Sequence, residues 1–267
     1  MPYTDITYEK QGKTALITLN RPARRNPIGP STIGELLHAI EAAKQDPAIH
    51  VVVFTGAGKV FSAGGDLGSM AEAGSSGGTP LQSAAETFRL PGTFVDLNLA
   101  LAHLGKPSIA KVNGHALAGG LGLVVACDLA IAADDAQLGT PEINVGLWPM
   151  MITATIFRNV NRKAGFELLV TGDKISAARA QEMGLVTRTV PRDRLDAEVQ
   201  LLIDKLLSKS PAIMRLGLQA FHKVQDLELE PALRYLEEQL GAVLQTDDAR
   251  EGLTAFLEKR PPSWKGR

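Results

Sequence analysis

The sequence predicts an α/β fold, with a core over residues 1–200 and a helical region over residues 201–267. Three observations carry this expectation. Short apolar, β-branched runs alternate with segments of helical periodicity. Two glycine-rich stretches each come directly after an apolar run, where a strand would turn into a helix. From Ser176 onward the periodicity is helical.

Taken in order, residues 14–20 (TALITLN) read as a strand, ended by Arg21-Pro22 because proline restricts itself and its predecessor. Ile33, Leu36, Leu37 and Ile40 then share one face of a helix, with Ser31 as its expected cap. Val51 to Phe54 is wholly apolar, as in a strand buried on both faces. Residues 68–80 are small, polar and glycine-rich, and are expected to form a surface loop before a helix that runs to His103. Residues 107–112 and 129–132 read as strands flanking a helix at 121–127. Helices are then expected at 177–183, stopped by Gly184, and at 195–207, 211–224, 231–244 and 246–259. Asp247 and Asp248 beside Thr246 favour the start of the last one.

The bulk properties narrow the function. A chain of 267 residues buries about three quarters of the surface it exposes when unfolded. Its net charge of −1 offers no bulk field to attract nucleic acid or an anionic membrane. Cys127 is the only cysteine, which excludes an intramolecular disulfide and a thiolate metal cluster, and suits a reducing compartment. The five histidines have no partner at metal-ligand spacing. The first residues lack a basic stretch followed by an apolar one, and no apolar run is long enough to cross a bilayer. A cytoplasmic location is therefore expected.

Chemistry concentrates in residues 61–67 (FSAGGDL) and 113–122 (NGHALAGGLG). On spacing alone these glycines either just make turns, or let a ligand approach main-chain N–H groups. A helix opening at Gly119-Gly120 would add unpaired N–H groups and the positive end of its dipole. Neither stretch is a nucleotide motif. Gly120-Leu121-Gly122 lacks the third glycine of a dinucleotide fingerprint, and Val60 comes after Gly58-Lys59 where a phosphate loop needs Ser or Thr.

FSAGGDL resembles the F-x-A-G-x-D-[IL] segment of the crotonase (enoyl-CoA hydratase/isomerase) superfamily. VNGHALAGGLGL with CDLAIA, LGTPEINVGLWP, LNRPARRNPI and EGLTAFLEKRPPSW resemble further segments of that family. They occur in family order from Leu19 to Trp264. The resemblance implies a spiral of ββα units with a helical C-terminal region that makes oligomer contacts in a homotrimer or a hexamer of paired trimers. It implies binding of an acyl-coenzyme A thioester, an enolate oxyanion held by the N–H groups of Gly65 and Gly119, and Glu142 as catalytic carboxylate. Residues alone would place a lone glutamate at the surface. The coenzyme A of the substrate is the only cofactor implied, and no metal.

For coenzyme A, the resemblance implies phosphate contacts from Arg24 and Arg25, whose guanidinium groups suit charge-assisted hydrogen bonds. Adenine and pantetheine contacts fall to Ala63, Gly64, Asp66 and Leu67, the Asp66 side chain itself belonging to the turn. Phe256 and Lys259 match tail positions that reach a neighbouring subunit's coenzyme A. The acyl chain is expected under residues 70–80 and near Trp148, Met150 and Met151.

One departure stands out. Two-carboxylate hydratases of the family carry a second glutamate where this chain has Gly122, which has no side chain to hold water. Hydration of a 2-enoyl-CoA is the first expectation. A double-bond isomerase using Glu142 alone is the second, and a non-catalytic CoA-binding protein is the third. RNA binding gains no support from the near-neutral charge and three tyrosines. Neither glycine turn places a serine as a protease nucleophile.

Overall fold

The computed structural model describes residues 2–66 and 92–267. Strands β1 (Ile6–Gln11) and β2 (Thr14–Leu19) form an antiparallel hairpin. Gly12 makes its turn at a φ of 61°, a conformation that glycine adopts without steric cost. The remaining strands of this sheet run parallel to β2. They are β3 (Val51–Gly56), β5 (Ser108–Val112), β7 (Leu129–Ala133) and β10 (Arg188–Val190), in the order β1-β2-β3-β5-β7-β10. A second sheet has the order β4-β6-β8-β9, from β4 (Val60–Ser62), β6 (His115–Leu117), β8 (Gln137–Gly139) and β9 (Lys174–Ser176).

The chain steps from β3 to β4, from β5 to β6 and from β7 to β8, each time passing from the first sheet to the second. A helix then returns it, as with Gly119–Ala126 between β6 and β7. This is the expected ββα spiral.

Side-chain alternation divides the core. Val52, Phe54, Ala110 and Ala132 point inward to the main core with Leu36, Ile40, Phe61, Leu121 and Leu138. Val51, Val53, Ile109, Ile131 and Ala133 point the other way, against Leu195, Val199 and Ile203 of the helix Leu195–Leu207. The wholly apolar run at β3 is thus buried on both faces, as a central parallel strand requires.

Several boundaries differ from expectation. The first long helix runs over Pro30–Gln45, with Gly29 rather than Ser31 at its cap. Pro30 sits at the first helical position, where its fixed φ fits and its missing N–H costs nothing. Helices Met150–Ile156 and Arg162–Thr171 are additions to the expected elements, as is most of the second sheet. Strands of three residues are too short to show an alternating pattern. The C-terminal helices Pro211–Val224, Leu229–Leu244 and Asp247–Leu257 lie close to their expected places. Thr246 caps the last by accepting the Ala249 N–H at 3.0 Å. The expected loop at 68–80 falls outside the described residues.

Candidate active site

Gly65 forms an isolated parallel bridge with Ile28. The Ile28 N–H donates to the Gly64 carbonyl at 2.7 Å, and the Asp66 N–H donates to the Ile28 carbonyl at 3.3 Å. In such a bridge the bonds belong to the flanking residues, so the Gly65 N–H faces away from Ile28. It faces the second glycine turn: a Cβ built on Gly119 would lie 3.9 Å from the Gly65 nitrogen. Gly119 opens the helix Gly119–Ala126. Its N–H belongs to the first turn, whose donors have no partner within the helix.

The two turns interlock through Gly64 and Ala118. Gly64 has a φ of 101°, and a Cβ there would stand 2.6 Å from the Ala118 Cβ and 3.4 Å from the Gly119 nitrogen. Ala118 itself has a φ of 49°, and its N–H donates to the Gly139 carbonyl at 2.9 Å. That bond ties the helix start to the end of β8. The main-chain nitrogens of Gly65 and Gly119 thus border the same small region. A carbonyl oxygen placed there gains its strongest stabilisation when it carries negative charge.

A buried scaffold supports the first turn. Asn26 is 1% exposed with a φ of 53°. Its side-chain oxygen accepts the Arg21 N–H at 3.0 Å, and its amide donates to the carbonyls of Ala57 and Val60 at 2.9 and 2.8 Å. Asp66 is buried and ion-paired with Arg21 at 2.9 Å and Arg24 at 3.0 Å. The Asp66 side chain thus serves the turn. Arg21 and Asn26 lie inside a recognised segment, but their roles rest on contacts across more than thirty positions that spacing does not reveal.

Glu142 sits three residues past β8, in the 3-10 helix Pro141–Val145. Gly146 ends that turn in the left-handed region, with a φ of 76°. The Glu142 Oε2 atom is buried and has no hydrogen-bond partner among the described residues. Burial raises its pKa above the ordinary 4.5, opposed in part by a hydrogen bond from its own backbone N–H. A carboxylate kept out of water in this way is a stronger base than an exposed one. Activity that needs ionised Glu142 should fall on an acidic limb lying above pH 4.5. A pH profile of kcat/KM checks this, and the limb should vanish in Glu142→Gln.

The place of the absent second acid is occupied. A Cβ built on Gly122 would lie 2.3 Å from Ile152 Cγ2 and 2.6 Å from Phe94 Cζ. Phe94 begins the helix Phe94–Ala102, and Ile152 lies on Met150–Ile156. Nothing in the sequence marks out either residue, because their meeting joins three distant parts of the chain.

The other expected residues are more scattered. Arg24 and Arg25 are exposed beside the first turn, and Ala63 N–H donates to the Arg25 carbonyl at 2.9 Å. Leu67 lies outside the described residues. Trp148 and Met151 are partly buried against the core, whereas Met150 is exposed. Phe256 is 81% exposed, and Lys259 lies just beyond it on the surface. His115 lies on β6, where its Nδ1 accepts the Gln137 N–H at 3.0 Å. Asp128 is held inside by the Ser108 N–H and O–H at 2.8 and 2.7 Å, and meets His222 at 3.1 Å. A surface cleft bordered by Asp128, Asn159 and Gln181 includes none of the predicted site residues.

The structure brings the Gly65 and Gly119 turns together and buries the Glu142 Oε2 atom, at the three positions that the crotonase resemblance implies. Comparison with known proteins agrees. The enoyl-CoA hydratase/isomerase family model matches residues 9–267. The 2,3-dehydroadipyl-CoA hydratase of Escherichia coli (strain K12) is 34% identical, over 99% of this chain and 100% of its own length. The crotonyl-CoA hydratase of Syntrophomonas wolfei is 34% identical over 97% of each chain. A crystal structure of a Mycobacterium smegmatis enoyl-CoA hydratase superposes with a TM-score of 0.91 at 33% identity, covering 98% of this chain and 99% of that one. The chain belongs to the enoyl-CoA hydratase/isomerase family. No helix among the described residues is long and apolar enough to cross a membrane.

Proposed function

We propose that the protein acts on acyl-coenzyme A thioesters, holding an enolate oxygen on the N–H groups of Gly65 and Gly119 while Glu142 moves the proton. The single observation that carries this is the approach of the Gly65 nitrogen to the Gly119 turn, 3.9 Å from the place of a Gly119 Cβ. Hydration of a 2-enoyl-CoA is the first reading, supported by relatives named as hydratases over nearly their full lengths. Glu142 then takes a proton from water as hydroxide adds to carbon 3, and returns it to carbon 2 as the enolate collapses.

The wall at Gly122 favours a second reading. Apolar atoms from Phe94 and Ile152 fill the position of a second acid. Double-bond isomerisation needs only one carboxylate: Glu142 removes a proton from carbon 2 of a 3-enoyl-CoA and returns it at carbon 4. Supplying 2-enoyl-CoA and 3-enoyl-CoA separately, with product identification, decides between them. A 3-hydroxyacyl product from the first supports hydratase; 2-enoyl-CoA from the second supports isomerase. Turnover of neither, with thioester bound, points to a CoA-binding protein.

Arg24 and Arg25 provide positive charge for the coenzyme A phosphates, with main-chain contacts from Ala63 and Gly64 in the neighbouring turn. Residues 201–267 mediate assembly into trimers or hexamers. Supporting this, Leu229, Leu233, Leu236, Leu240 and Leu244 expose an apolar stripe along one helix, beside exposed Phe221 and Phe256. Isolated monomers rarely leave so continuous an apolar face to water. Light scattering after size exclusion should give a mass of three or six chains, whereas a mass near 28.4 kDa would contradict assembly. A reducing cytoplasmic setting suits the single, buried Cys127.

A further inference from the structure

We infer that Phe94 and Ile152 form a wall of the acyl site that selects among acyl-CoA thioesters by their substitution at carbon 3, and that Gly122 is what admits this wall. The inference rests on the thioester reading above.

Three elements meet at one point. Gly122 lies on the helix that begins with the oxyanion donor Gly119. Ile152 Cγ2 and Phe94 Cζ stand 2.3 and 2.6 Å from where a Gly122 Cβ would be, so only glycine lets the wall close up. The same Phe94 ring also borders the oxyanion turn, its Cε2 lying 3.6 Å from the place of a Gly119 Cβ. One aromatic edge therefore spans from the carbonyl position to the position of the absent acid. In a thioester whose oxygen sits between Gly65 and Gly119, carbons 2 and 3 come directly after that carbonyl.

The wall is firm. Phe94 is 8% exposed and Ile152 4%. Phe94 opens a helix fixed by a reciprocal cap, in which the Thr93 N–H donates to the Asp96 carboxylate at 2.7 Å. Ile152 is held where its helix packs on Gly119–Ala126. Close-packed side chains of this kind yield little to an added methyl group. An apolar pocket typically discriminates one methylene by about tenfold to two-hundredfold in kcat/KM. An unbranched 2-enoyl group presents a flat edge to the wall, whereas a 3-methyl group meets it.

The test compares kcat/KM for crotonyl-CoA and 3-methylcrotonyl-CoA, read as loss of the conjugated 2-enoyl group, in the wild type, Phe94→Ala, Phe94→Leu and Ile152→Ala. The wild type should prefer the unbranched thioester by at least about tenfold. Trimming either wall residue should reduce that preference by about tenfold, through improved turnover of the branched thioester. Phe94→Leu keeps most of the apolar volume and decides the matter if Phe94→Ala does not fold. A ratio unchanged in the folded variants, or a wild type that prefers the branched thioester, overturns the inference. A wild type that converts neither a 2-enoyl-CoA nor a 3-enoyl-CoA overturns the functional reading instead.

Discussion

Glu142→Gln lowers kcat by about a thousandfold, within the usual range for loss of a general acid–base group, and leaves KM for the thioester nearly unchanged. The size of the effect comes from isolation. Among the described residues the buried Oε2 atom has no hydrogen-bond partner to share its role. The replaced position of the second acid is apolar as well, with Phe94 and Ile152 against Gly122. On the proposed reading KM is spared, because main chain rather than the 142 side chain holds the thioester oxygen. Steady-state kinetics on the preferred thioester checks this. A loss of only a few fold would mean that another group performs the proton transfer. The same variant should be more stable than the wild type at neutral pH. Burial raises the Glu142 pKa in the folded state. Above the unfolded carboxyl pKa, the unfolded chain ionises more readily than the folded one, which disfavours folding. That penalty disappears as pH falls below the unfolded value, and so should the stability gained by glutamine.

Gly119→Ala is expected to lower kcat/KM by about a hundredfold or more, the scale on which loss of one oxyanion donor acts. The physical reason is occupation of the hole rather than loss of fold. The new methyl would lie 3.6 Å from Phe94 Cε2 and 3.9 Å from the Gly65 nitrogen, ordinary contact distances for the protein itself. On the proposed reading it would nevertheless stand in the space of the thioester oxygen. Gly119 has no positive φ, so alanine adds no backbone strain there. The variant should melt within a few degrees of the wild type while losing most of its activity. Thermal melting alongside kinetics separates these effects: equal losses of both would mean that Gly119 only serves the turn.

Different parts of the site are legible in the sequence to different degrees. The strand-to-helix turns at Gly65 and Gly119 stand out because their glycines come directly after apolar runs. That they face each other depends on pairing between β4 and β6, two strands of three residues with no readable period. Glu142 is visible only through family resemblance, since a glutamate after proline at a strand end looks like a solvated surface residue. The burial of its Oε2 atom depends on packing that no local pattern reveals. Gly122 is legible as a missing acid, but not as a contact point. Phe94 and Ile152 reach it from positions 28 residues before and 30 after, and only the packed core brings them together. Asp66 shows the opposite case: its place in the turn is readable, and the structure supplies the reason in Arg21 and Arg24. Likewise, the helices after residue 195 are readable because their lengths show several turns of 3.6 periodicity. Met150–Ile156 is hidden by its brevity and by the preceding proline.

Exchange of carbon-2 protons of a saturated acyl-CoA in heavy water, read by mass spectrometry, tests enolate formation independently of the enolate's later fate. Buffer-catalysed exchange is subtracted with a protein-free control. The wild type should introduce deuterium at carbon 2, and Glu142→Gln should abolish that exchange while still binding the thioester. Deuterium incorporation by Glu142→Gln at the wild-type rate, or a wild type that binds the thioester and exchanges nothing, would contradict the account.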